Sequence, residues 1–285
     1  MKMARMAMTA GLCAVCLASA ADEAPLVMRN VAHRGIWKNR NIPQNTVEAI
    51  KLAYDSGATW VETDFYVTKA GQFICIHGPR ELKKYSGVEK KLTELTPEDI
   101  ATINLGAKLK TDKVFRIPLL HQVLAVVPKH CVLQAEIKGY SKNYPDVFDR
   151  AVKDAGLSET NIMVSSFHYD ELKDFKKRYP KYRTLWLTKI PKDKRFADVA
   201  QEQIAKCKAA KIDILCPGCT FTYGKMTAED ADAVRAAGLD FRLFGVNSEN
   251  DLRQAKMLKA TAFTCNYWQE AFGWAKEIGG ITLLK

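Results

Sequence analysis

Two carboxylates lie close together inside an apolar stretch of the sequence, residues 60–77. Glu62 and Asp64 are two positions apart in a run that has the composition of a β-strand. Because residues i and i+2 of a strand point to the same face, both carboxylates are expected to project together. Adjacent buried carboxylates repel each other, and a hard divalent cation is the simplest partner that neutralises them. The pair therefore predicts a metal site.

A third carboxylate follows the same pattern. Glu136 and Lys138 end another apolar run, again at i and i+2. Three carboxylates make an oxygen-only ligand set, which suits Mg2+ or Ca2+ rather than zinc. Their joint charge exceeds that of one divalent ion, so Arg34 and Lys138 are expected to offset the remainder and to hold an anionic phosphate. We predict one divalent cation, Ca2+ or Mg2+, beside a phosphate site.

Two histidines complete the predicted site. His33 ends the first apolar run, and His77 ends the run that follows the carboxylate pair. Two histidines beside a phosphate suggest a general base and a general acid. A single histidine is more often structural, and only the joint occurrence at consecutive strand ends favours a catalytic interpretation. The remaining histidines, His121, His130 and His168, are interpreted as structural.

The elements that position these residues form a regular series. Short β-rich apolar runs alternate with helical patterns along most of the chain, which implies parallel strands joined by helical crossovers. Eight main strands are expected, the number that closes a (β/α)8 barrel. They are predicted to begin near Val27, Thr59, Cys131, Asn161, Arg183, Ile212, Asp240 and Ala262. The predicted fold class is α/β, a TIM-like barrel whose strand C-terminal ends carry the active site.

One segment interrupts the series. Residues 78–118 are polar and rich in lysine, and they follow a predicted hairpin of strands over 59–67 and 73–76. We interpret them as a small insertion between strand 2 and its following helix, on the catalytic face. The sequence contains no tandem repeat and no low-complexity linker, so we expect residues 21–285 to form one barrel domain.

Residues 1–20 are predicted to be a signal peptide. Lys2 and Arg5 precede a mostly apolar stretch, and a small-x-small pattern ends at Ala20. The stretch is too short to span a bilayer comfortably. The alternatives are a buried N-terminal helix and a lipid anchor on Cys13 or Cys16, which the bulky residues before these cysteines disfavour. We expect export to the periplasm or the exterior.

The chain is basic. Its net charge of +11 becomes +9 when Lys2 and Arg5 leave with the signal peptide. A basic protein favours anionic partners such as phosphate esters or membrane surfaces. The positive charges are scattered among acids, without a zinc-ligand array or a basic tail, so nucleic acid is not an expected partner. Proximity to a membrane surface and the oligomeric state are left open.

Six of the eight cysteines follow the predicted cleavage site, and export makes disulfides possible. Cys75, Cys131 and Cys265 lie in apolar runs, where a cysteine is usually a small core residue. Cys216 and Cys219 have redox-type spacing, but no helical pattern follows at once, as a thioredoxin motif requires. A local disulfide and two free thiols remain alternatives.

The chain resembles the glycerophosphodiester phosphodiesterase family, and the resemblance extends over about residues 27–268. The matching motifs, in order, are His33-Arg34-Gly35, Pro43-Gln44-Asn45-Thr46, Glu62-Thr63-Asp64, Thr68-Lys69-x-Gly71, His77, Ile117-Pro118-x-Leu120, Glu136-Ile137-Lys138, Ser165-Ser166-Phe167 and Val246-Asn247. The resemblance implies a TIM-like barrel with a small insertion. It also implies metal-dependent cleavage of a small-molecule phosphodiester to glycerol 3-phosphate and an alcohol.

The same resemblance implies roles for individual residues. His33 and His77 correspond to the acid/base pair, and Arg34 and Lys138 to phosphate-binding positions. The metal ligands correspond to Glu62, Asp64 and Glu136. In such enzymes a neighbouring hydroxyl of the substrate can attack first, giving a cyclic phosphate that water then opens. The order in which the two histidines act is left open.

Four positions depart from the family pattern. Gln44 stands where the family usually has Glu, and Gly78 stands where Asp commonly follows the second histidine. Phe244 replaces a usual Trp, and Asn266 replaces a usual Asp. These changes spare the inferred catalytic set and alter its surroundings. They bear on the identity of the substrate more than on the class of reaction.

Two other functions are compatible with the sequence. A lyase similar to phospholipase C or D would share the barrel and release a cyclic phosphate from a lipid, although such relatives tend to lack an insertion like residues 78–118. A non-catalytic binder of phosphorylated cell-surface material is supported only by Gln44 and Gly78. The products formed from a phosphodiester distinguish all three functions.

Overall fold

A computed structural model describes residues 24–139 and 143–285 of the chain. The predicted signal peptide, with Cys13 and Cys16, lies outside these described residues. Within them, every helix is too short or too polar to cross a lipid bilayer.

The described residues form ten strands and eleven α-helices. The strands are β1 (Leu26–His33), β2 (Trp60–Val67), β3 (Phe73–Cys75), β4 (Val132–Ile137), β5 (Ile162–Ser166), β6 (Arg183–Thr188), β7 (Ile214–Pro217), β8 (Asp240–Leu243), β9 (Ala262–Cys265) and β10 (Ile281–Leu284). The helices are α1 (Val47–Asp55), α2 (Pro79–Ser86), α3 (Pro97–Thr102), α4 (Leu120–Leu124), α5 (Tyr144–Asp154), α6 (Tyr169–Arg178), α7 (Ala197–Ala210), α8 (Cys219–Thr222), α9 (Ala228–Ala236), α10 (Glu249–Met257) and α11 (Glu270–Ile278). A 3-10 turn at Leu92–Glu94 lies between α2 and α3.

Eight parallel strands close into a barrel, which confirms the predicted fold. The ring runs β1, β2, β4, β5, β6, β7, β8 and β9, and it closes because β1 pairs with both β2 and β9. Two strands lie outside the ring: β3 pairs antiparallel with β2, and β10 pairs parallel with β1. The strand β10 was not predicted from the sequence.

Local sequence determines where several helices begin. The Thr46 hydroxyl accepts the N–H of Ala49 at 3.3 Å and caps α1. At the start of α9, Thr227 and Asp230 accept each other's backbone N–H groups in a capping box. Such caps satisfy the backbone donors that the first turn leaves free, which is why a Thr precedes these two helices.

The main core lies between the barrel and its helices. Strand residues that alternate with the charged ones, such as Val61 and Ala135, are buried in one cluster with the helical residues Ile50 and Phe148. This arrangement confirms the predicted outward direction of the apolar positions in β2 and β4. The charged positions of the same strands consequently face the inside of the barrel.

Residues 78–118 have an apolar cluster of their own. Ile74 and Ile76 of the hairpin pack there against Leu82 and Tyr85 of α2 and against Ile100 of α3. The sequence did not predict α2 or α3, because both are short and polar. Helix α2 begins two residues after His77, and its packing against the hairpin holds it beside that histidine.

All six cysteines of the described residues are buried free thiols. Cys216 and Cys219 therefore form no disulfide here. The expectation that no helix follows Cys219 at once was wrong, because the four-residue helix α8 begins at that residue. Burial raises the pKa of the Cys219 thiol and keeps it protonated, so it acts as a small core residue.

Candidate active site

The seven predicted site residues come together at the C-terminal mouth of the barrel. A cavity of about 410 Å³ opens there, and six of the seven line it. The exception is Asp64, which is fully buried within strand β2. The residues that line the cavity are His33, Arg34, Glu62, His77, Gln134, Glu136, Lys138, Phe167, Leu187, Lys189, Thr220, Phe221, Phe244 and Thr264.

Strand register explains this convergence. His33 of β1 is paired with Glu62 of β2, and Asp64 of β2 is paired with Glu136 of β4. Paired residues on neighbouring strands point to the same face, so the alternation within each strand directs all four side chains inward. The three strands are neighbours in the ring, which brings residues far apart in the sequence into contact.

The three carboxylates form a buried cluster. Glu62, Asp64 and Glu136 each offer an oxygen atom, and these atoms lie within 4.8 Å of one another. Burial and the neighbouring carboxylates raise the pKa of Glu62 well above its ordinary range and that of Glu136 to about 7. Among the described residues, Oε1 of Glu62 has no hydrogen-bond donor. An oxygen-only set with an unpartnered buried atom fits a divalent cation.

Two cations contact this cluster through Asp64. The Nε atom of Arg34 lies 3.0 Å from Oδ2, and Nζ of Lys138 lies 3.1 Å from Oδ1. Burial alone would raise the pKa of Asp64, but Arg34 and Lys138 hold it below its ordinary range. Lys138 also contacts Glu136, and the two carboxylates raise its pKa despite burial. Lys138 therefore remains charged.

The backbone after β1 turns sharply. Arg34 has a φ of +62° and Gly35 a φ of +78°. A Cβ atom at position 35 would lie 2.4 Å from the carbonyl carbon of Ala49, so only glycine fits there. The left-handed conformation of Arg34 is uncommon for a residue with a side chain, and it directs the Arg34 N–H to Oε2 of Glu62 at 3.2 Å.

His33 is held at both ring nitrogens. Nδ1 lies 2.7 Å from Oδ1 of Asn266, and Nε2 lies 3.5 Å from Oε2 of Glu62. An amide oxygen only accepts hydrogen bonds, so Nδ1 carries the proton and Nε2 has the free electron pair. Burial and the charge of Arg34 lower the pKa of His33 to about 3. The ring is neutral at pH 7, with the unprotonated Nε2 atom at the cavity.

His77 lies two residues beyond β3. Burial, together with the charges of Arg34 and Lys138, lowers its pKa to about 4, although Asp64 opposes this effect. Its backbone N–H donates to Oε2 of Glu81 at 2.7 Å. This bond connects the loop that carries His77 to helix α2.

Glu81 and Asn266 are site residues whose contacts the sequence did not reveal. The Glu81 carboxylate is buried and also accepts hydrogen bonds from Gln44 at 2.9 Å and Asn45 at 3.1 Å. Burial raises its pKa to about 7. Gln44 and Gly78 stand where the family usually has acidic residues, and this departure was the one indication that another carboxylate lies nearby. Nothing in the polar segment 78–118 distinguishes Glu81 from its neighbours.

An aromatic wall with one lysine forms another part of the cavity. The rings of Phe167 and Phe244 meet edge to face, with centroids 5.4 Å apart. Nζ of Lys189 lies 5.4 Å from the ring centre of Phe167 and 5.9 Å from that of Phe221. The sequence singled out Phe167 and Phe244, whereas Lys189 and Phe221 follow their strands without a recognisable motif.

Comparison with known proteins identifies relatives of the chain. A family model described as the glycerophosphoryl diester phosphodiesterase family matches residues 33–269. A glycerophosphodiester phosphodiesterase of Caldanaerobacter subterraneus is 32% identical over 156 residues, which are 53% of this chain and 62% of that protein. One from Bacillus altitudinis is 28% identical over 227 residues, covering 78% of this chain and 87% of that protein. The alignment thus spans less than two thirds of the first relative.

Solved structures show the same fold. A glycerophosphodiester phosphodiesterase from Parabacteroides distasonis superposes with a TM-score of 0.71 at 17% identity, covering 90% of this chain and 100% of that one. A phosphodiesterase from Oleispira antarctica, solved in complex with the product sn-glycerol-3-phosphate, has a TM-score of 0.71 at 17% identity and covers 87% and 96%. At 17% identity, these superpositions establish a shared barrel fold.

Proposed function

Because the chain belongs to the glycerophosphoryl diester phosphodiesterase family, we propose that it hydrolyses glycerophosphodiesters to glycerol 3-phosphate and an alcohol. The observation that carries this assignment is a single cavity lined by carboxylates, three cationic side chains and two neutral histidines. These are the groups that a metal-dependent phosphodiesterase needs to bind an anionic diester and move protons. Curated relatives named glycerophosphodiester phosphodiesterases support it.

Glu62, Asp64 and Glu136 would hold one divalent cation, Ca2+ or Mg2+. Their oxygen-only character and the unpartnered Oε1 atom of Glu62 support this choice. When bound, the cation would polarise a phosphoryl oxygen and help to activate a hydroxyl.

Arg34 and Lys138 bind the phosphate of the substrate. Both contact Asp64, so their side chains are fixed before a substrate arrives. Charges that are already in place stabilise the additional negative charge of a phosphoryl transition state without reorganisation. The planar guanidinium of Arg34 also offers a paired grip on two phosphate oxygens.

His33 and His77 transfer protons. Nε2 of His33 takes the proton of the attacking hydroxyl, because Nδ1 is already protonated toward Asn266. His77 then protonates the departing alcohol oxygen, which leaves a cyclic phosphate when the attacking hydroxyl belongs to the substrate. Water opens this ring to glycerol 3-phosphate while the two histidines exchange their acid and base roles. The negative charge of a bound phosphodiester offsets Arg34 and Lys138, which lower the pKa of His77 in the free protein, and so favours its protonated form.

Phosphorus NMR of the products tests the function. The full chain is incubated with a series of glycerophosphodiesters in the presence of Ca2+ or Mg2+, and the expected product is glycerol 3-phosphate. A cyclic phosphate that persists would support a lyase instead. Tight binding of a diester without turnover across a wide metal screen would support a non-catalytic binder. Either of these results would overturn the proposed hydrolysis.

The enzyme acts after export, in the periplasm or outside the cell. The basic start, the apolar stretch and the small-x-small pattern of residues 1–20 support this location. Fractionation of cells that express the full chain, with N-terminal sequencing, checks it. We expect a mature protein that begins near Ala21, and a cytoplasmic protein that retains Met1 would contradict export.

A further inference from the structure

A buried carboxylate outside the predicted catalytic set contacts one member of that set. Glu81 is only 4% exposed, and its Oε2 atom accepts the backbone N–H of His77 at 2.7 Å. We propose that Glu81 is a positioning residue, which fixes the backbone from which the His77 imidazole reaches the cavity. This role rests on the proposed function, since it concerns the geometry of proton transfer by His77.

The Glu81 carboxylate joins three parts of the chain. It lies in α2, it accepts from His77 after β3, and it accepts from Gln44 and Asn45 in the loop before α1. These bonds link the segment that carries His77 to the loop that follows His33. The segment that carries His77 and the loop that follows His33 therefore meet at one buried oxygen atom.

Asn45 extends this connection to the metal cluster. Its Nδ2 atom donates to Oδ2 of Asp64 at 3.0 Å as well as to Glu81. Its Oδ1 atom accepts the Thr63 hydroxyl at 2.9 Å and the backbone N–H of Asp64 at 3.2 Å. Since every polar atom of this side chain is engaged, a shift of Glu81 would be transmitted to strand β2.

Helix capping by itself does not account for these contacts. Glu81 is the third residue of α2, and a glutamate at that position often accepts an N–H from before the helix. Asp99 has the same position in α3 and accepts the N–H of Thr96 at 2.8 Å. That cap is exposed, and its further donors are the Thr96 hydroxyl and the Lys90 ammonium. Glu81 is buried, and its further donors, Gln44 and Asn45, belong to the loop after His33. Asp99 is therefore a control for a capping carboxylate that makes no contact with the loop after His33 or with His77.

The geometry also allows the hydrogen bonds of Glu81 to be tested separately from its charge. All three donors meet at Oε2, while Oε1 is buried without a hydrogen-bond donor among the described residues. A glutamine whose amide oxygen takes the Oε2 position keeps all three bonds and loses only the charge. An aspartate keeps the charge, but its shorter side chain does not reach the His77 N–H. A positioning role therefore predicts that glutamine replaces Glu81 better than aspartate does.

Steady-state kinetics of four variants test this role. We expect Glu81→Ala and Glu81→Asp each to lower kcat by about 10- to 100-fold, the usual effect of removing a group that orients a site residue. KM should change little, because Arg34 and Lys138 remain in place. Glu81→Gln should retain most of the wild-type kcat, and the Asp99→Asn control should lower thermal stability without changing kcat.

Several outcomes would overturn the role. These are wild-type kcat in Glu81→Ala, a change confined to KM, and a folded Glu81→Gln protein as impaired as Glu81→Ala. The backbone amide of His77 provides a readout besides activity, because its proton NMR shift and its slow exchange report the bond to Glu81. Both should persist in Glu81→Gln and disappear in Glu81→Ala. If the wild-type enzyme cleaves no diester, the proposed function fails, and this amide still decides whether Glu81 holds His77.

Discussion

The Nε2 atom of His33 lies 3.5 Å from the Oε2 atom of Glu62, and the two residues are paired in register on neighbouring strands. This contact joins the candidate acid/base group to the carboxylate cluster. Because the pairing of β1 with β2 also closes the barrel, the two groups are held together by the fold itself. A catalytic base and a metal ligand at such a distance can act on the same phosphate.

Removal of either histidine should abolish most of the activity. We expect His33→Ala and His77→Ala each to lower kcat by about 10²- to 10⁴-fold, the usual contribution of general acid–base catalysis. Release of glycerol 3-phosphate measures kcat, and circular dichroism checks the fold. His121→Ala is the control, because this exposed residue of α4 lies away from the cavity. Unchanged turnover in either variant would refute its assignment.

Removal of the metal should stop the reaction. We expect a chelator to abolish activity, and Ca2+ or Mg2+ to restore it. Glu62→Gln, Asp64→Asn and Glu136→Gln should weaken binding of these ions in titration calorimetry, since each removes a charged oxygen ligand. Glu98→Gln, an exposed residue of α3, should leave ion binding unchanged. Full activity in excess chelator would rule out a required cation.

Lys189 should influence the choice of head group. Its ammonium lies at the aromatic wall, and no described carboxylate forms an ion pair with it. A positive charge there attracts the carboxylate of a serine head group and repels the quaternary ammonium of choline. For glycerophosphoserine, we expect Lys189→Gln to lower kcat/KM relative to glycerophosphocholine by about fivefold, the effect of ~1 kcal/mol between charges near water. Lys192→Gln is the matched exposed control. An unchanged ratio would show that Lys189 does not contact the head group.

The lowered pKa of the partly buried His77 should make a destabilising contribution to the metal-free protein in acid. Its pKa is lowered to about 4 in the folded chain, against an ordinary value of 6.5. As the pH falls through this interval, the unfolded chain binds a proton that the folded chain does not, so the free energy of unfolding decreases. Glu62, Glu81 and Glu136, whose pKa values are raised, act in the opposite sense. The contribution of His77 is therefore the difference between wild type and His77→Asn in denaturant titrations in a chelator between pH 7 and pH 4. His77→Asn should reduce the slope, and the exposed His121→Asn should leave it unchanged.

The sequence by itself determined the barrel and most of its site. In a strand, alternate residues face opposite sides, so Glu62 and Asp64 in one apolar run, and Glu136 and Lys138 in another, had to project together. Parallel strands carry their C-terminal ends at one mouth, which placed His33 beside them. Strand β10 was not predicted in this way, because Ile281–Leu284 is a four-residue strand that lies outside the barrel and pairs with the start of β1.

Only the tertiary structure decided which groups hold the two histidines. Asn266 reaches His33 from the position after β9, far along the chain, and Glu81 reaches His77 from a helix within a polar segment. A single polar residue in a loop or a short helix has no periodicity, so its sequence does not reveal whether it faces water or a buried donor. Packing of α2 against the β2–β3 hairpin excludes water from Glu81 and brings its carboxylate to the His77 N–H. The candidate catalytic and metal-binding residues could be predicted from the local sequence pattern. The residues that hold them in place could not, because long-range packing brings them together.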